Sequence, residues 1–396
     1  MRNIYASFPI TYSKMKKLFF LSILALILFE IANIYFIMPI PGSQEMNSID
    51  LAYFLYSWRW VFRTGLGLLI VYSFFKGNWK RRWIPVFVAI FAGFVAYLAN
   101  FQMAADSIFL QPQSVEMKSA QESIVDSNRI ILGTVFNGEA RAYPIQYLGY
   151  HHQVLDTIGG KPIMVTYCTV CRTGRIFEPV VNGKPEIFRL VGMDHFNAMF
   201  EDQTTKSWWR QVSGEAIAGE LKGQVLPEFF SSQTELKQWL SFYPNSLIMQ
   251  PDIHFQEKYD SMSNYENGNR EGRLTRRDTA SWEEKSWVVG ISMEAGSKAY
   301  DWNTLEEENI IHDEINRQPV LLVLADDRKS FFAFEREDMN QQFVFQHDTL
   351  ISEGKRYTLE GKSLDSSIPH LTKIKAYQEY WHSWRTFHPE TLKHRE

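Results

Sequence analysis

The only two cysteines of the 396-residue chain lie three positions apart, at Cys168 and Cys171. A C-x-x-C turn can hold two sulfur atoms within bonding distance, so the pair could cycle between dithiol and disulfide. The same turn can present two thiolates on one side, which suits a soft metal ion. In an oxidising compartment the pair could also form a purely structural disulfide. The two residues alone leave all three chemistries open.

Histidines close to the cysteines in sequence could complete a metal site. His151 precedes the strand that leads into Cys168, so a short crossover could bring its ring to the sulfur atoms. Thiolate and imidazole ligands favour copper or zinc over magnesium or calcium. The leading hypothesis is therefore that Cys168, Cys171 and His151 bind copper or zinc, with a redox role also open. Further candidate ligands are His152, His195, Met193 and Met199.

A thiol–disulfide oxidoreductase is the first alternative, in which Cys168 and Cys171 are the catalytic residues. Arg172 and Arg175 could lower the pKa of the attacking thiol. In thioredoxin-like proteins the motif opens a helix, whereas the segment after Cys171 has the pattern of a strand and a hairpin. A thioredoxin fold is therefore not expected.

The segment "SWWRQVSGEAIAG" supplies a third catalytic candidate, Glu215. Glu215 and Gln211 could face the cysteines as acid–base or supporting groups. Alternatively, Trp208 and Trp209 pack in the core and Glu215 is a turn carboxylate. The chain has neither a glycine-rich phosphate loop nor a G-x-S-x-G motif, which disfavours nucleotide binding and hydrolysis. Whether the protein is an enzyme stays open.

The first 105 residues differ in composition from the rest and predict a membrane anchor. Segments 18–40 and 83–100 are strongly apolar, and segment 57–75 is a weaker third candidate, so we predict three transmembrane helices. Lysines and arginines precede the first and third segments but are absent from the loop between the first and second. This places the N-terminus in the cytoplasm and everything after residue 100 outside the cytoplasmic membrane. Glu30, within the first segment, could pair with Arg63 inside the bundle or stay protonated.

The remainder of the chain contains a pattern that occurs twice, since residues 133–167 and 290–324 align without a gap. Residues shared by the two segments are Gly133 with Gly290, Ala142 with Ala299, Tyr143 with Tyr300, Leu148 with Leu305, Asp156 with Asp313, and Pro162 with Pro319. The pattern predicts an internal duplication, with repeats at 106–250 and 288–396 and a polar surface connection at 251–287. Cys168 and Cys171 align with Ala325 and Arg328, so one repeat alone carries the site.

Local patterns predict an α+β fold rich in strands. Asn137-Gly138 and Asn182-Gly183 each lie between apolar runs, which is a strong hairpin signal. The apolar run "KPIMVTYC" predicts a buried strand that ends at Cys168. Residues 232–244 and 373–389 have helical patterns.

The motifs "ARAYPIQYL", "VTYCTVCRTG", "SWWRQVSGEAIAG" and "YWHSWRTFHPET" together resemble a bacterial and archaeal family, domain of unknown function 3179. The resemblance covers about residues 127–389. An aromatic–histidine pair precedes the cysteine strand in that family, and Tyr150-His151 take its place here. This chain departs from the family pattern at His152, where an acidic residue is usual. It also departs at Thr169 and Val170, between the cysteines, and at Arg172, which follows them. The resemblance implies the fold and the position of the site, but no activity.

A third function class is a non-enzymatic binding module braced by a structural disulfide. Its partner would be an unknown protein or small molecule, in addition to the lipid bilayer. With 41 basic and 45 acidic side chains, the chain shows no charge imbalance that would indicate a nucleic-acid partner.

Overall fold

The structure is a computed structural model that describes residues 8–395, with side chains from residue 12 onward. We call residues 8–105 the membrane segment, 106–250 the first half, 251–287 the connecting segment and 288–395 the second half. The helices of residues 8–108 are α1 (Phe8–Tyr35), α2 (Ile49–Ser57), α3 (Arg59–Lys76), α4 (Trp83–Tyr97) and α5 (Ala105–Ile108).

Two helices of the described chain are long and apolar enough to cross a membrane, not the three that the sequence predicted. These stretches are Tyr12–Tyr35 and Trp83–Gln102. The third predicted segment does form a helix, α3, and it packs against α1. It does not meet the same criterion of length and hydropathy, because it carries arginines in its first turns.

A buried polar network joins three helices of the membrane segment, and it contains the predicted pair of Glu30 and Arg63. The Arg63 guanidinium donates to both Glu30 carboxylate oxygens, at 2.7 and 2.8 Å. The same group donates to Asn100 Oδ1, and Asn100 Nδ2 donates back to Glu30 Oε2 at 2.9 Å. Each member has partners, which is what allows charged groups to persist in an apolar bundle. The pairing with Arg63 is confirmed, with Asn100 as an additional partner.

The first half is built mainly of short strands with tight turns. Its strands and helices, with the helix of the connecting segment, are β1 (Met117–Lys118), β2 (Ile130–Phe136), β3 (Glu139–Pro144), α6 (Ile145–His151), β4 (Gln153–Ile158), β5 (Lys161–Cys168), β6 (Thr173–Phe177), β7 (Val180–Val181), β8 (Lys184–Pro185), β9 (Phe188–Asp194), β10 (Asn197–Asp202), β11 (Trp208–Arg210), β12 (Ala216–Ala218), β13 (Ser231–Glu235), α7 (Leu236–Phe242), β14 (Leu247–Met249) and α8 (Gln256–Asp260). The two predicted hairpins, the buried strand and the helix within residues 232–244 are confirmed.

The second half has a similar composition of elements. They are β15 (Trp287–Met293), β16 (Gly296–Asp301), α9 (Trp302–Glu308), β17 (Ile310–Ile315), β18 (Gln318–Leu324), β19 (Phe331–Glu335), β20 (Val344–Gln346), β21 (Thr349–Ser352), β22 (Lys355–Thr358), β23 (Lys373–Ile374), β24 (Ala376–Tyr380), α10 (Trp381–Phe387) and β25 (Leu392–Lys393). The helical prediction for residues 373–389 is wrong in its first part, because β24 pairs with β15 before α10 begins.

Sheets in the two halves have matching strand orders. Strands β14-β3-β2-β13 are neighbours in one sheet, and β25-β16-β15-β24 are neighbours in the other. In each set of four strands the pair β14–β3 or β25–β16 is parallel, while the other pairs are antiparallel; β1 adds a further antiparallel strand beside β14. Strands β4-β5-β6 and β17-β18-β19 form a second matching set. The fold is thus α+β, as predicted.

A glycine–tryptophan contact recurs at the same place in both sheets. A Cβ atom added to Gly133 would lie 2.6 Å from the Trp239 ring, and one added to Gly290 would lie 2.2 Å from the Trp384 ring. Each indole N–H donates at 2.8 Å to a hydroxyl seven residues further along the chain. Strands β2 and β15 therefore require glycine for the close approach of α7 and α10, respectively.

The connecting segment is largely exposed, as its polar composition predicted, but it also carries buried aromatic anchors that the composition did not indicate. Tyr259 and Tyr265 are completely buried, and they pack in the main apolar core of the first half with Met262. The polar residues of this segment lie beside those anchors. The segment therefore covers part of the first half.

The membrane segment is joined to the first half immediately after α1. The Met193 N–H donates to Ile37 O at 2.7 Å, and a Cβ on Gly192 would lie 2.2 Å from that same oxygen. The Tyr53 and Tyr56 rings pack on Trp208, with centroids 5.1 and 5.3 Å away. Strand β9 is thus held against the residues that directly follow α1.

Candidate functional site

The cysteine pair lies at the hairpin turn between β5 and β6, in which residues 169–172 form the four-residue loop. Cys168 is the last residue of β5 and pairs with Thr173, the first residue of β6. Arg172 has a left-handed backbone conformation, with φ of 57°, which closes the turn. Both cysteines are free and fully buried. When protonated, both thiols donate to the same acceptor, Phe196 O, at 3.5 and 3.4 Å.

The two thiols have unequal acidity. Burial acts to raise the pKa of the Cys168 thiol, but a hydrogen bond from the Cys171 thiol lowers it, and the net pKa is below the usual value. The backbone N–H groups of Ala198, Cys171 and Val170 lower the Cys168 pKa further. Burial and the neighbouring Cys168 raise the pKa of the Cys171 thiol well above its usual value. Cys168 is therefore the more acidic of the two thiols, and the turn directs backbone amides at its sulfur where thioredoxin-like sites use a helix N-terminus.

The connecting segment supplies a cation beside the turn. The Lys285 ammonium donates to Val170 O at 2.7 Å and lies 3.0 Å from His382 Nε2. Burial lowers the pKa of Lys285 to about 8, against the opposing attraction of the cysteines. Burial and the Lys285 charge lower the pKa of His382 to about 3, so its ring is neutral. Lys285 is thus a cation in direct contact with the turn, in addition to Arg172 and Arg175, which the sequence suggested for that role.

The second half completes the surroundings of the pair through strand β24 and helix α10. The Tyr380 N–H donates to Cys171 O at 2.9 Å. The carboxylate of Glu379, fully buried, accepts from Thr173 Oγ1 at 2.9 Å and from Ser383 Oγ at 2.7 Å. A hydrogen bond with Ser383 acts to lower the pKa of Cys171, while the Glu379 charge acts to raise it. The site therefore lies between the two halves of the chain.

The two arginines after the cysteines hold the halves together. The Arg175 guanidinium forms a buried ion pair with Glu379 at 2.8 Å and stacks on the Tyr377 ring. Arg172 stacks on Trp287 and donates to Gln378 Oε1 at 2.9 Å. Because both guanidinium groups are engaged in this way, they brace the turn.

His151, the predicted metal ligand, lies in a different environment from the cysteines. Its Nδ1 is 2.5 Å from Leu110 O, and its Nε2 is 2.6 Å from the Tyr259 hydroxyl. Burial lowers its pKa, so the ring is neutral. Across the described residues, no three histidine, cysteine, aspartate or glutamate side chains form a group that could hold a metal ion.

The two residues of the tryptophan-rich motif differ in their relation to the site. Glu215 lies near the surface, with its carboxylate 3.5 Å from the Arg210 guanidinium, and the structure records no contact between it and the cysteines. Gln211 is fully buried and donates to Thr166 Oγ1 at 3.0 Å and to Thr173 O at 3.2 Å. It accepts from Asn197 Nδ2 at 3.0 Å. Gln211 thus ties together β5, β6 and β10 around the pair.

The remaining candidates occupy structural positions. Met193 packs in the same apolar cluster as the cysteines, whereas Met199 packs with Trp208 in another. His195 Nδ1 is 2.8 Å from Asp194, and His152 Nδ1 is 3.2 Å from Tyr150 O. Trp208 and Trp209 are buried, as the packing alternative expected.

Sequence reasoning missed Lys285, Glu379, His382 and Ser383. Lys285 lies in a charged run of a segment expected to be surface, so its composition concealed it. The other three lie in the closing motif "YWHSWRTFHPET" or directly before it, and that motif is one of those that resemble the family. A family motif so far from the cysteines in sequence was the available signal that the C-terminus contributes to the site.

Comparison with known proteins identifies one related family. A family model described as "Protein of unknown function (DUF3179)" matches residues 108–391, which is well over half of the chain. The match includes both cysteines, the connecting segment and the closing motif. No curated protein and no solved structure matches the chain.

Proposed function

We propose that this chain, which belongs to the DUF3179 family, is a membrane-anchored thiol–disulfide oxidoreductase whose Cys168 and Cys171 cycle between dithiol and disulfide. Cys168 is the attacking thiolate and Cys171 the resolving thiol. The observation that carries the proposal is the opposite displacement of the two pKa values within one hydrogen-bonded pair. A structural brace needs no such asymmetry, whereas an exchanging pair needs one activated sulfur.

Lys285 supports the same chemistry from the other side of the turn. Its ammonium contacts Val170 O between the two cysteines, and its charge attracts a thiolate. Lys285 and His382 meet at Val170 O, between the two cysteines, and are candidates to carry the proton that Cys171 loses when the disulfide closes. Glu215 stays a candidate acid–base group, to be tested separately.

The proposal is tested by equilibrating the full chain, in detergent, with glutathione redox buffers and counting free thiols by alkylation and mass measurement. We expect both thiols to disappear together in one two-electron transition, at a potential above about −300 mV, where exchanging rather than structural disulfides lie. Cys168→Ser and Cys171→Ser should each abolish the transition, whereas Arg328→Ser, at the aligned position of the second half, should leave it unchanged. A pair that stays oxidised far below this potential would indicate a structural brace.

A soft-metal site is the second candidate, supported by the approach of both sulfurs to Phe196 O and by Met193 in the same cluster. Two thiolates suit Cu(I), and zinc would need further ligands. Element-resolved metal content of the full chain, purified without chelator, tests this candidate. About one copper or zinc per chain, lost in Cys168→Ser/Cys171→Ser, would favour it. Loss of that metal in His151→Ala as well would include His151 in the site.

We further propose that α3 joins the two apolar helices in a three-helix anchor, with the N-terminus in the cytoplasm. Large apolar side chains on α3 are exposed, including Leu68 at 66% and Phe75 at 78%. An exposed apolar surface of this kind is typical of contact with lipid. Cysteine-accessibility labelling, with a reporter cysteine in a Cys168→Ser/Cys171→Ser chain, tests the orientation from each side of the membrane.

The two halves are proposed to have arisen by duplication. Matching strand orders, the recurring glycine–tryptophan contact and the aligned residues support this relationship. The first repeat would span 106–250 and the second 288–396. A superposition of an experimental structure's two sheets tests the proposal, since a common origin requires their strands to coincide in order and register.

A further inference from the structure

A cavity of about 400 Å³ lies at the junction between the membrane segment and the cysteine turn. Met38 and Pro39, which follow the first membrane helix, form one side. Ile108 and Phe109, which follow the last membrane helix, form another. Thr169 and Val170, the two residues between the cysteines, also line it. The cavity therefore lies between the ends of the two apolar helices and the turn that holds the cysteine pair.

Apolar side chains connect the lining of this cavity with the two cysteines, which do not line it themselves. Cys168 and Cys171 belong to a packed apolar cluster with Val170 and Met193, both of which line the cavity. Met38, Phe109 and Leu274 pack against the same cluster and line the same cavity. An apolar molecule held in the cavity would contact these apolar side chains next to the cysteine turn.

Burial of the cysteines restricts what can react with them. Both have no exposed surface, so any reactant reaches the sulfurs only as the packing around the turn opens, and a small molecule needs a smaller opening than a folded protein does. The cavity volume lies within the range of small-molecule sites, which are also predominantly apolar with a few polar groups. The reactant that fits is small and apolar.

The charged side chains that line the cavity are cations. They are Lys258 and Arg270, while carboxylates are absent from the described lining. His152 also lines it, and burial lowers the pKa of that ring to about 4, so it is neutral. Cations beside an apolar chamber stabilise an oxygen that gains negative charge as electrons arrive.

We infer that this cavity binds the head group of a membrane-soluble quinone, which accepts the electrons of the reduced cysteine pair. The inference rests on the proposed dithiol–disulfide function and names its oxidant. Two S–H bonds break and one S–S bond forms. The two electrons and two protons that leave the sulfurs convert the quinone to its hydroquinone, so the step balances without another reactant.

The test uses the full chain in detergent, reduced and freed of reductant, then mixed with a short-chain ubiquinone. The loss of quinone absorbance and the loss of free thiols are followed together. We expect one quinone consumed per disulfide formed, and no reaction in Cys168→Ser/Cys171→Ser. Ile108→Trp narrows the cavity and should slow the reaction about tenfold or more. Leu364→Trp, at an exposed site of the second half, should react at the wild-type rate.

Oxidised glutathione, applied to the same samples at equilibrium, separates the two proposals. If glutathione oxidises the pair reversibly and the quinone does not, the quinone inference falls and the proposed function stands. If neither oxidant acts, the proposed function falls as well. If the quinone oxidises wild type and Ile108→Trp equally fast, while glutathione shows both to be folded and competent, the assignment to this cavity is overturned.

Discussion

The turn that carries the cysteines has a counterpart in the second half. The two turns differ in the side-chain atom that accepts their backbone N–H groups. In the counterpart, Asp327 Oδ1 accepts from the N–H groups of Lys329 and Ser330, both at 2.8 Å. In the first half, Cys168 receives the N–H groups of Val170 and Cys171. Each turn thus directs backbone amides at one anionic side chain. A carboxylate serves that purpose with no reactivity toward electrons, whereas a thiolate brings redox chemistry.

This comparison shows how a reactive site can be placed on an ordinary scaffold. The sheet order and glycine–tryptophan contact recur in both halves, so they belong to folding. What is particular to the first half is the turn itself and the side chains that the rest of the chain brings to it. Arg175, for example, aligns with Phe332. At this position the first half has a buried cation beside the cysteines, where the second half has a buried apolar ring.

Removing that buried cation gives the largest expected effect on stability. Arg175→Met should lower the free energy of unfolding by about 3–5 kcal/mol, because Glu379 would remain buried without its partner. Urea unfolding in detergent micelles measures the change. Phe332→Met, at the aligned position, should cost clearly less, and Arg175→Met/Glu379→Gln should recover part of the loss. Equal costs at the two aligned positions would contradict the distinction between them.

The glycine–tryptophan contacts should respond alike in both halves. Gly133→Ala and Gly290→Ala should each lower the free energy of unfolding by about 1–3 kcal/mol, because the added methyl overlaps an indole ring. Thermal unfolding of each variant provides the comparison. Gly65→Ala, where a Cβ meets nothing within 4 Å, is the control and should not destabilise the protein. A large cost in one half alone would show that the two contacts are not equivalent.

Removal of the carboxylate in the counterpart turn should change the free energy of unfolding less than the arginine or the glycine substitutions do. Asp327→Ala removes the acceptor of two backbone N–H groups and should cost about 1 kcal/mol. Its neighbour Asp326 is exposed, and Asp326→Ala should change the free energy of unfolding by less than half of that. The urea midpoint distinguishes these outcomes. No effect of Asp327→Ala would show that the second turn does not depend on its anion.

The smallest effect is expected on the acidity of the thiol. Lys285→Met removes a cation near the thiolate, so the pKa of Cys168 should rise by up to about one unit. Because the pKa of Lys285 is about 8, its attraction acts below that pH and fades as pH rises through it. Thiolate ultraviolet absorbance, recorded against pH, measures the shift. Lys329→Met, in the counterpart turn, should leave the titration unchanged, and an equal shift there would contradict a local effect.

Local patterns in the sequence predicted the local parts of the structure. The Asn137-Gly138 and Asn182-Gly183 turns, and the strand that ends at Cys168, depend on neighbouring residues alone, and all three are confirmed. The α+β class follows from such elements. The segment around Ala376 was predicted as helix together with α10, whereas pairing with β15 makes it a strand.

The surroundings of the cysteines could not be predicted in the same way. Glu379 contacts Thr173 across more than two hundred residues of chain, and no pattern near either residue indicates the pairing. Lys285 looked like a solvated charge in a polar run. Tertiary contacts bring these groups to the turn. His151 is close to the cysteines in sequence, but its ring is held by Leu110 and Tyr259 instead.

The hydrogen bond between Met193 and Ile37 has a practical consequence for recombinant work. A soluble fragment cut after the membrane segment would lose Ile37 and both tyrosines that shield Trp208. It would expose an open strand edge next to an apolar ring, which is the combination that drives self-association. Fragments that begin near residue 104 should therefore form oligomers, and a chain that retains residues 36–58, fused ahead of the ectodomain, should remain dispersed.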